Sequence, residues 1–113
     1  MIPRGVEIFV GVEPIDLRWS FDRLAGIAEE RVGRPGRSGA LFVFFGKRRD
    51  AIKVLFFEGS GMCLFYKRLD AGTFRLPETE GRSYLPIDER ALDDLLDGID
   101  VEPPTRRPTT RIH

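Results

Sequence analysis

The side chains best suited to chemistry are basic, and they cluster around one short turn. Lys47, Arg48 and Arg49 are consecutive and follow a glycine between two apolar runs. Ammonium and guanidinium groups neutralise phosphates, and the planar guanidinium fork can bind an anion through two hydrogen bonds. We therefore expect a nucleic-acid or partner-binding surface built from this turn and its basic neighbours: Arg34, Arg37, Lys47, Arg48, Arg49, Lys53, Lys67 and Arg68.

The same turn also has a plainer interpretation, because charged turns keep the edges of hairpins from aggregating. Aromatic residues are interleaved with the basic ones, but aromatic residues in strands most often belong to the core. The residues alone therefore leave two alternatives open. One is nucleic-acid binding, and the other is a solvated turn or a contact with another protein.

Candidates for catalysis or metal binding are few. The chain has one cysteine, Cys63, and one histidine, His113, which is the last residue. A zinc site needs clustered His and Cys ligands, and a Ser-His or Cys-His pair needs an internal histidine. The glycines of "EGSG", residues 58–61, precede a strand-like run instead of a helix, which favours a hairpin turn over a phosphate loop. We expect no catalytic residue, no metal and no cofactor; a metal-dependent nuclease would need a carboxylate cluster that the spacing does not contain.

Composition indicates a soluble globular domain. The chain has 113 residues, 42% of them hydrophobic and 32% charged, with a formal net charge of zero. A neutral chain argues against a strongly basic nucleic-acid coat, yet residues 34–82 carry a net charge of +5 and residues 83–102 one of −6. The single cysteine suggests a reducing compartment, and neither a signal peptide nor a membrane-spanning run is evident. We expect a cytoplasmic protein without a membrane partner.

The elements that must position the basic residues follow from periodicity. Apolar residues spaced by three and four from Leu17 predict an amphipathic helix over 17–32, with Asp16 as its N-cap and Gly33 at its end. A second, short helix is expected over 89–97, capped by Asp88 and ended by Gly98. Strands are expected at 6–12, 40–45, 51–57, 62–69 and 72–77, and the segment 77–86 is expected to be a loop.

These elements predict an α+β fold: a small single domain with an antiparallel β-sheet of about four to five strands, an amphipathic helix and a short C-terminal helix. The domain is expected to span residues 1–100, followed by a flexible tail that contains proline and arginine, residues 101–113. The strands are apolar on both faces. We therefore expect helices on one face and a second layer, or a second copy of the chain, on the other.

Several segments resemble a known family, the small TnpB-type accessory protein of the bacterial insertion-sequence-sixty-six transposons. The segments are "DLRWSFDRL" (16–24), the run from Gly39 to Pro77, and "LDDLLDGID" (92–100). The matching positions are Asp16, Arg18, Phe21, Asp22, Leu24, Arg48, Arg49, Asp50, Ile52, Lys53, Gly59, Gly61, Lys67, Arg68, Leu69, Gly72 and Phe74. Trp19 and the Phe45-Gly46-Lys47 approach to the arginine pair depart from the pattern.

The resemblance implies a role in transposition beside a larger transposase that carries the acidic catalytic residues. It therefore implies a non-enzymatic accessory protein that binds the transposase of the same element, element-end DNA, or both. A pure protein-interaction module without nucleic-acid contact is the alternative.

Overall fold

The computed structural model describes residues 3–75 and 79–98, in which five strands form one sheet and two α-helices pack on it. The elements in chain order are β1 (Ile8–Gly11), α1 (Phe21–Val32), β2 (Leu41–Phe45), β3 (Ala51–Glu58), β4 (Gly61–Arg68), β5 (Tyr84–Ile87) and α2 (Glu89–Leu96). The strand order across the sheet is β4-β3-β2-β1-β5. This arrangement confirms the α+β class. Neither helix in the described ranges is long and apolar enough to cross a membrane.

The sheet is mixed, whereas the sequence predicted an antiparallel one. The β2–β3 and β3–β4 hairpins are antiparallel as expected, but β1 pairs with β2 in parallel. Parallel neighbours require a crossover connection, and α1 with its flanking loops provides it between β1 and β2. The middle of the sheet is therefore a β-α-β unit extended by two hairpins on one side and by β5 on the other.

The last strand was predicted in the wrong place. Gly72–Arg75 form no strand; instead, the Phe74 amide donates to the Arg49 carbonyl at 2.7 Å, and the Phe74 ring is buried in the core. The remaining residues of that prediction, 76 and 77, lie outside the described residues. The segment expected to be a loop contains β5, which pairs antiparallel with β1. The strand was not predicted because it contains Pro86, and a proline in the sequence argues against a strand. A proline is tolerated in a sheet only where its missing N–H faces outward, as at an edge.

Helices cover both faces of the sheet. Leu24 and Ala28 of α1 are buried on the face that carries Phe9, Phe42 and Phe44. On the opposite face, α2 and the segment around Phe74 cover the aliphatic side chains Ile8, Val10, Leu41, Val43, Ile52 and Val54. The second layer that the sequence assigned to another element or another copy thus comes from α2 of the same chain.

Helix α1 begins later than predicted. Its N-cap position is Ser20, whereas Asp16 accepts a hydrogen bond from the backbone amide of Arg18. The amide of Trp19 donates to the Asp16 carbonyl, so residues 16–19 close a tight turn before the helix starts. Leu17 still packs against the α1 face of the core, which is why the apolar stripe extended one turn too far.

The other helix signals are confirmed. Gly33 ends α1 with a φ of 83°, and Gly98 follows α2 with a φ of 81°, the left-handed region that favours glycine. The Asp88 side chain caps α2 by accepting from the amide of Ala91 at 2.8 Å. The predicted tail over 101–113 and the end of the predicted domain at residue 100 lie outside the described residues.

Candidate partner-binding groove

An open groove of about 550 Å³ lies between the turn before α1 and the β2–β3 turn. It brings together residues from three separate parts of the sequence. The turn before α1 contributes five residues, the β2–β3 turn three, and the end of β4 one. In that order, the residues that define the groove are Pro14, Ile15, Asp16, Leu17, Trp19, Lys47, Arg48, Asp50 and Arg68.

Close backbone packing holds the two turns together. The amide of Ile15 donates to the carbonyl of Phe45 at 2.8 Å, which fixes the turn before α1 against the end of β2. Leu17 then lies directly over Gly46, where a Cβ atom would come within 2.5 Å of the leucine Cδ1. Real Cβ atoms do not approach so closely, so only a glycine fits under Leu17 without movement.

Lys53 holds the turn before α1 in place through two hydrogen bonds. Its Nζ donates to the carbonyl of Leu17 at 2.6 Å and to that of Trp19 at 2.9 Å. The same ammonium group lies 5.5 Å from the centre of the Tyr66 ring. Both carbonyls precede α1 and are left without helix partners, so the lysine satisfies acceptors that the fold itself exposes. Lys53 is therefore a structural residue of the groove and not a free cation.

Asp16 is paired within the turn. The Arg18 guanidinium donates from Nη2 to Oδ2 at 2.6 Å and from Nε to Oδ1 at 3.0 Å. Together with the backbone amide of Arg18, these bonds lower the pKa of Asp16 from 3.8 to about 2. The carboxylate consequently stays ionised at every physiological pH. Its negative charge is balanced by Arg18, so it offsets little of the positive charge across the groove.

Trp19 forms part of the apolar wall of the groove. It is half-buried, and the guanidinium carbon of Arg23 lies 4.3 Å from the centre of its ring. Its place outside the helical stripe of α1 is thus explained by the turn, because Trp19 precedes the helix and lines the groove. Ile15, Leu17 and Pro14 complete this wall.

Lys47 and Arg48 are the open cations of the site. Both side chains are exposed, and neither makes an ion pair or a hydrogen bond with any residue in 3–75 or 79–98. The third basic residue of the turn behaves differently. Arg49 is half-buried with a φ of 60°, and its guanidinium lies over the Phe45 ring at 5.8 Å. Since its carbonyl also receives the Phe74 amide, Arg49 belongs to the framework.

Arg68 completes the positive side of the groove. It is exposed, and its Nη2 donates to the Tyr66 hydroxyl at 3.3 Å. This hydrogen bond, with the nearby charge of Asp50 as a smaller cause, raises the pKa of Arg68 above its ordinary value. Arg68 thus stands beside Lys47 and Arg48 as a third cation facing the same groove.

The remaining predicted binding residues lie elsewhere. Lys67 points to the opposite face of the sheet and donates to the Leu96 carbonyl at the end of α2. Arg34 makes a two-pronged ion pair with Glu7, both bonds measuring 3.0 Å, at the far end of β1. Hydrogen bonding to Arg34 lowers the pKa of Glu7. Arg37 stacks over the Phe57 ring at 5.2 Å, at the end of β3 away from the groove.

The eight predicted residues therefore divide into two groups. The groove gathers Lys47, Arg48 and Arg68, with Lys53 and Arg49 built into its support, while Arg34, Arg37 and Lys67 serve other contacts. The apolar wall was missed, although two signals pointed to it: Trp19 fell outside the helical stripe, and the Asp16–Arg18 spacing belonged to the family pattern. In the described ranges no three His, Cys, Asp or Glu side chains are grouped to hold a metal ion.

Fold and groove together define a small α+β protein with an open groove that carries exposed cations and an apolar wall. Residues 6–106 match the family model described as IS66 Orf2 like protein, and the chain belongs to this family. It is accordingly an accessory protein of an insertion sequence. Two similar proteins come from Sinorhizobium fredii (strain NBRC 101917 / NGR234).

The uncharacterized protein y4hO is 39% identical, over 96% of this chain and 97% of its own length. The uncharacterized protein y4jC is 31% identical, over 96% of this chain and 92% of its own length. No solved structure matches the chain.

Proposed function

We propose that this protein assists transposition without catalysis, by binding the transposase of its own insertion sequence through the groove. One observation carries the proposal. The segments of the family pattern, around Asp16, Arg48 and Arg68, are far apart in the sequence and meet at this single groove. A binding surface explains why exposed cations from these separate segments lie at the same place, because folding of the backbone alone does not require them there.

The environment of the groove carboxylate supports a non-catalytic role. A general base works best when its pKa lies near the working pH. Asp16 has a pKa of about 2 and both of its oxygens accept hydrogen bonds from Arg18, so it is held in one charge state. Its role in the groove is to fix the turn and not to move a proton.

The chemistry of the groove favours a protein partner over DNA. Its wall is apolar, formed by Ile15, Leu17 and Trp19, and its rim carries the cations Lys47 and Arg48. Protein interfaces combine an apolar or aromatic centre with a charged rim in this way. A duplex would instead need a continuous row of phosphate contacts, whereas Lys53, Lys67 and Arg34 are occupied inside the protein.

Element-end DNA is the second candidate, and two cations on one turn, both unpaired within the described ranges, favour it. A phosphate backbone crossing the β2–β3 turn could contact both Lys47 and Arg48. In that case affinity should fall steeply as salt rises, with a slope reduced by roughly 0.9 for each phosphate contact removed.

The experiment measures binding to the purified transposase and to element-end duplex DNA in parallel. Trp19 is the one tryptophan of the chain and lies in the groove, so its fluorescence reports local occupancy. The Lys47→Ala/Arg48→Ala variant should weaken transposase binding by about tenfold, which corresponds to ~1.4 kcal/mol. The matched control is Arg82→Ala/Arg90→Ala, which removes two exposed cations outside the groove.

Loss of DNA affinity with unchanged transposase binding would favour the second candidate. Equal effects of the two double variants would contradict the assignment of the groove.

A further inference from the structure

Arg23 adds a cation to the groove that the charge pattern of the sequence did not single out. It is exposed on α1, and its guanidinium carbon lies 4.3 Å from the centre of the Trp19 ring. Because Trp19 lines the groove, this contact holds the arginine at the edge of the apolar wall. Arg23 has no ion-pair partner among the residues that the structure describes. Its N–H donors are therefore available to an anion.

The charge of the groove is not balanced from within. The lining contains three cations and two carboxylates: Lys47, Arg48, Arg68, Asp16 and Asp50. Asp16 is already neutralised by Arg18, whose Nη2 lies 2.6 Å from its Oδ2. Of the lining residues, Asp50 alone is left to offset the three cations. Together with Arg23, the groove carries a surplus of positive charge next to its apolar wall.

Two exposed aromatic side chains accompany the groove residues. Phe21 is 41% exposed and Tyr66 is 48% exposed, and no other large apolar side chain in the described ranges is listed with them as exposed. Phe21 begins α1, shortly after Trp19. The Tyr66 hydroxyl accepts a hydrogen bond from Arg68, which places this ring beside the groove. The surface therefore offers aromatic contacts as well as charge.

We propose that the groove binds an acidic segment of the transposase, with a large apolar side chain of that segment packed against Trp19. Carboxylates near this side chain pair with Lys47, Arg48 and Arg23. The groove volume of about 550 Å³ suits a short segment with a few side chains. The inference rests on the proposed function, because it names the chemistry of the partner that binds there.

An acidic peptide segment fits the groove better than a phosphate backbone does. Every nucleotide of a strand carries a negative charge, so a strand crossing the β2–β3 turn brings phosphates close to the Asp50 carboxylate. A peptide carries carboxylates only at some positions and can place a neutral residue at Asp50. The apolar wall around Trp19 also gives a peptide side chain a contact that a phosphate group does not use.

Photo-crosslinking to the intact transposase identifies the occupant. Tyr66→p-benzoylphenylalanine places a photoreactive aromatic group beside the groove at an exposed position. The transposase segment attached to it should have a net negative charge and contain a large apolar residue. Arg82→p-benzoylphenylalanine, at an exposed position outside the groove, is the control and should not give this crosslink. A neutral or basic segment, a crosslink to element-end DNA instead, or no crosslink while the transposase stays bound would overturn the proposal.

The affinity for the intact transposase tests the role of Arg23. Arg23→Gln should weaken binding by about fivefold, and Arg23→Lys, which keeps the charge, should retain most of the affinity. Affinity should also fall as salt rises, and less steeply in Arg23→Gln, because salt screens exposed ion pairs. Arg90→Gln removes an exposed cation from α2 and should leave the affinity unchanged.

The proposed function and this inference fail in different ways. If the transposase does not bind, or binds equally well to Lys47→Ala/Arg48→Ala, both are wrong. If that double variant binds weakly but Arg23→Gln binds as tightly as the wild type, the transposase uses the groove and the inference of an acidic segment held by Arg23 is wrong.

Discussion

Lys47 and Lys53 lie on the same hairpin and have opposite roles. Lys47 extends from the β2–β3 turn into solvent, while Lys53 lies on β3 and donates to the carbonyls of Leu17 and Trp19. The difference comes from the acceptors within reach of each side chain. A basic residue beside unsatisfied backbone carbonyls becomes part of the framework, and one without such neighbours is left for a partner.

The largest effect that this comparison predicts is on stability at Lys53. Lys53→Met keeps the aliphatic stem but leaves two backbone carbonyls without a donor, which should lower the free energy of unfolding by about 2–3 kcal/mol. The matched control is Lys47→Met, which should change it by less than about 0.5 kcal/mol. Urea denaturation followed by circular dichroism measures both. Equal stabilities for the two variants would refute the distinction between the two lysines.

A smaller effect is expected from the glycine that supports the same turn. Gly46→Ala places a Cβ atom within 2.5 Å of Leu17 Cδ1, so the leucine or the turn must shift. Overpacking of this kind should cost about 1–2 kcal/mol and should change Trp19 fluorescence, because the turn carries both side chains. Gly61→Ala is the control, since nothing lies within 4 Å of its added Cβ atom. An unshifted emission spectrum in Gly46→Ala would mean that Leu17 does not set the position of Trp19.

The open cations themselves should matter little for folding. Lys47→Ala/Arg48→Ala removes side chains that contact no described partner, so the free energy of unfolding should change by no more than about 0.5 kcal/mol. Urea denaturation measures this change. Any loss of transposase or DNA binding in this variant can then be assigned to the surface. If the double variant were strongly destabilised, Lys47 and Arg48 would have a structural role, as Lys53 has, and the distinction between open and structural cations would be wrong.

The smallest effect concerns pH. The pKa of Asp16 is lowered in the folded state, so its ion pair with Arg18 stabilises the protein above the pKa of the unfolded carboxyl. That contribution is lost as the pH falls from about 4 through the folded value of about 2. Carbon-detected NMR titration of the Asp16 carboxyl should show the shift, and it should disappear in Arg18→Ala. A midpoint near 3.8 in the wild type would mean that Arg18 does not hold the carboxylate.

The sequence predicted most of the elements because their signals were local. The hairpins from Leu41 to Arg68 followed from short glycine turns, and Asp88 was recognised as a cap from its position before a helical run. The parallel pairing of β1 with β2 was missed because no local residue pattern encodes which strands become neighbours. Strand β5 was missed because Pro86 indicates a loop unless the edge position is known.

The candidate site was predicted only in part, for a similar reason. Charge selected Lys47, Arg48 and Arg68, which line the groove, but it could not separate them from Lys53 or Lys67. That separation depends on carbonyls contributed by the turn before α1 and by the end of α2, both distant in the sequence. The apolar wall was likewise hidden, because Leu17 was assigned to a helix that begins at Phe21.

The position of β1 has a consequence for how the chain folds during synthesis. β1 is made first among the strands, yet it lies between β2 and β5, and its partner β5 is the last described strand to leave the ribosome. Such pairing between distant segments is slow, because loop-closure entropy must be overcome before the contacts form. Before β5 has been synthesised, one edge of β1 is unpaired, whereas the α1 crossover and the β2–β3 and β3–β4 hairpins can already form. We therefore expect the nascent chain to remain sensitive to proteases until β5 has emerged, and to gain its resistance in one late step.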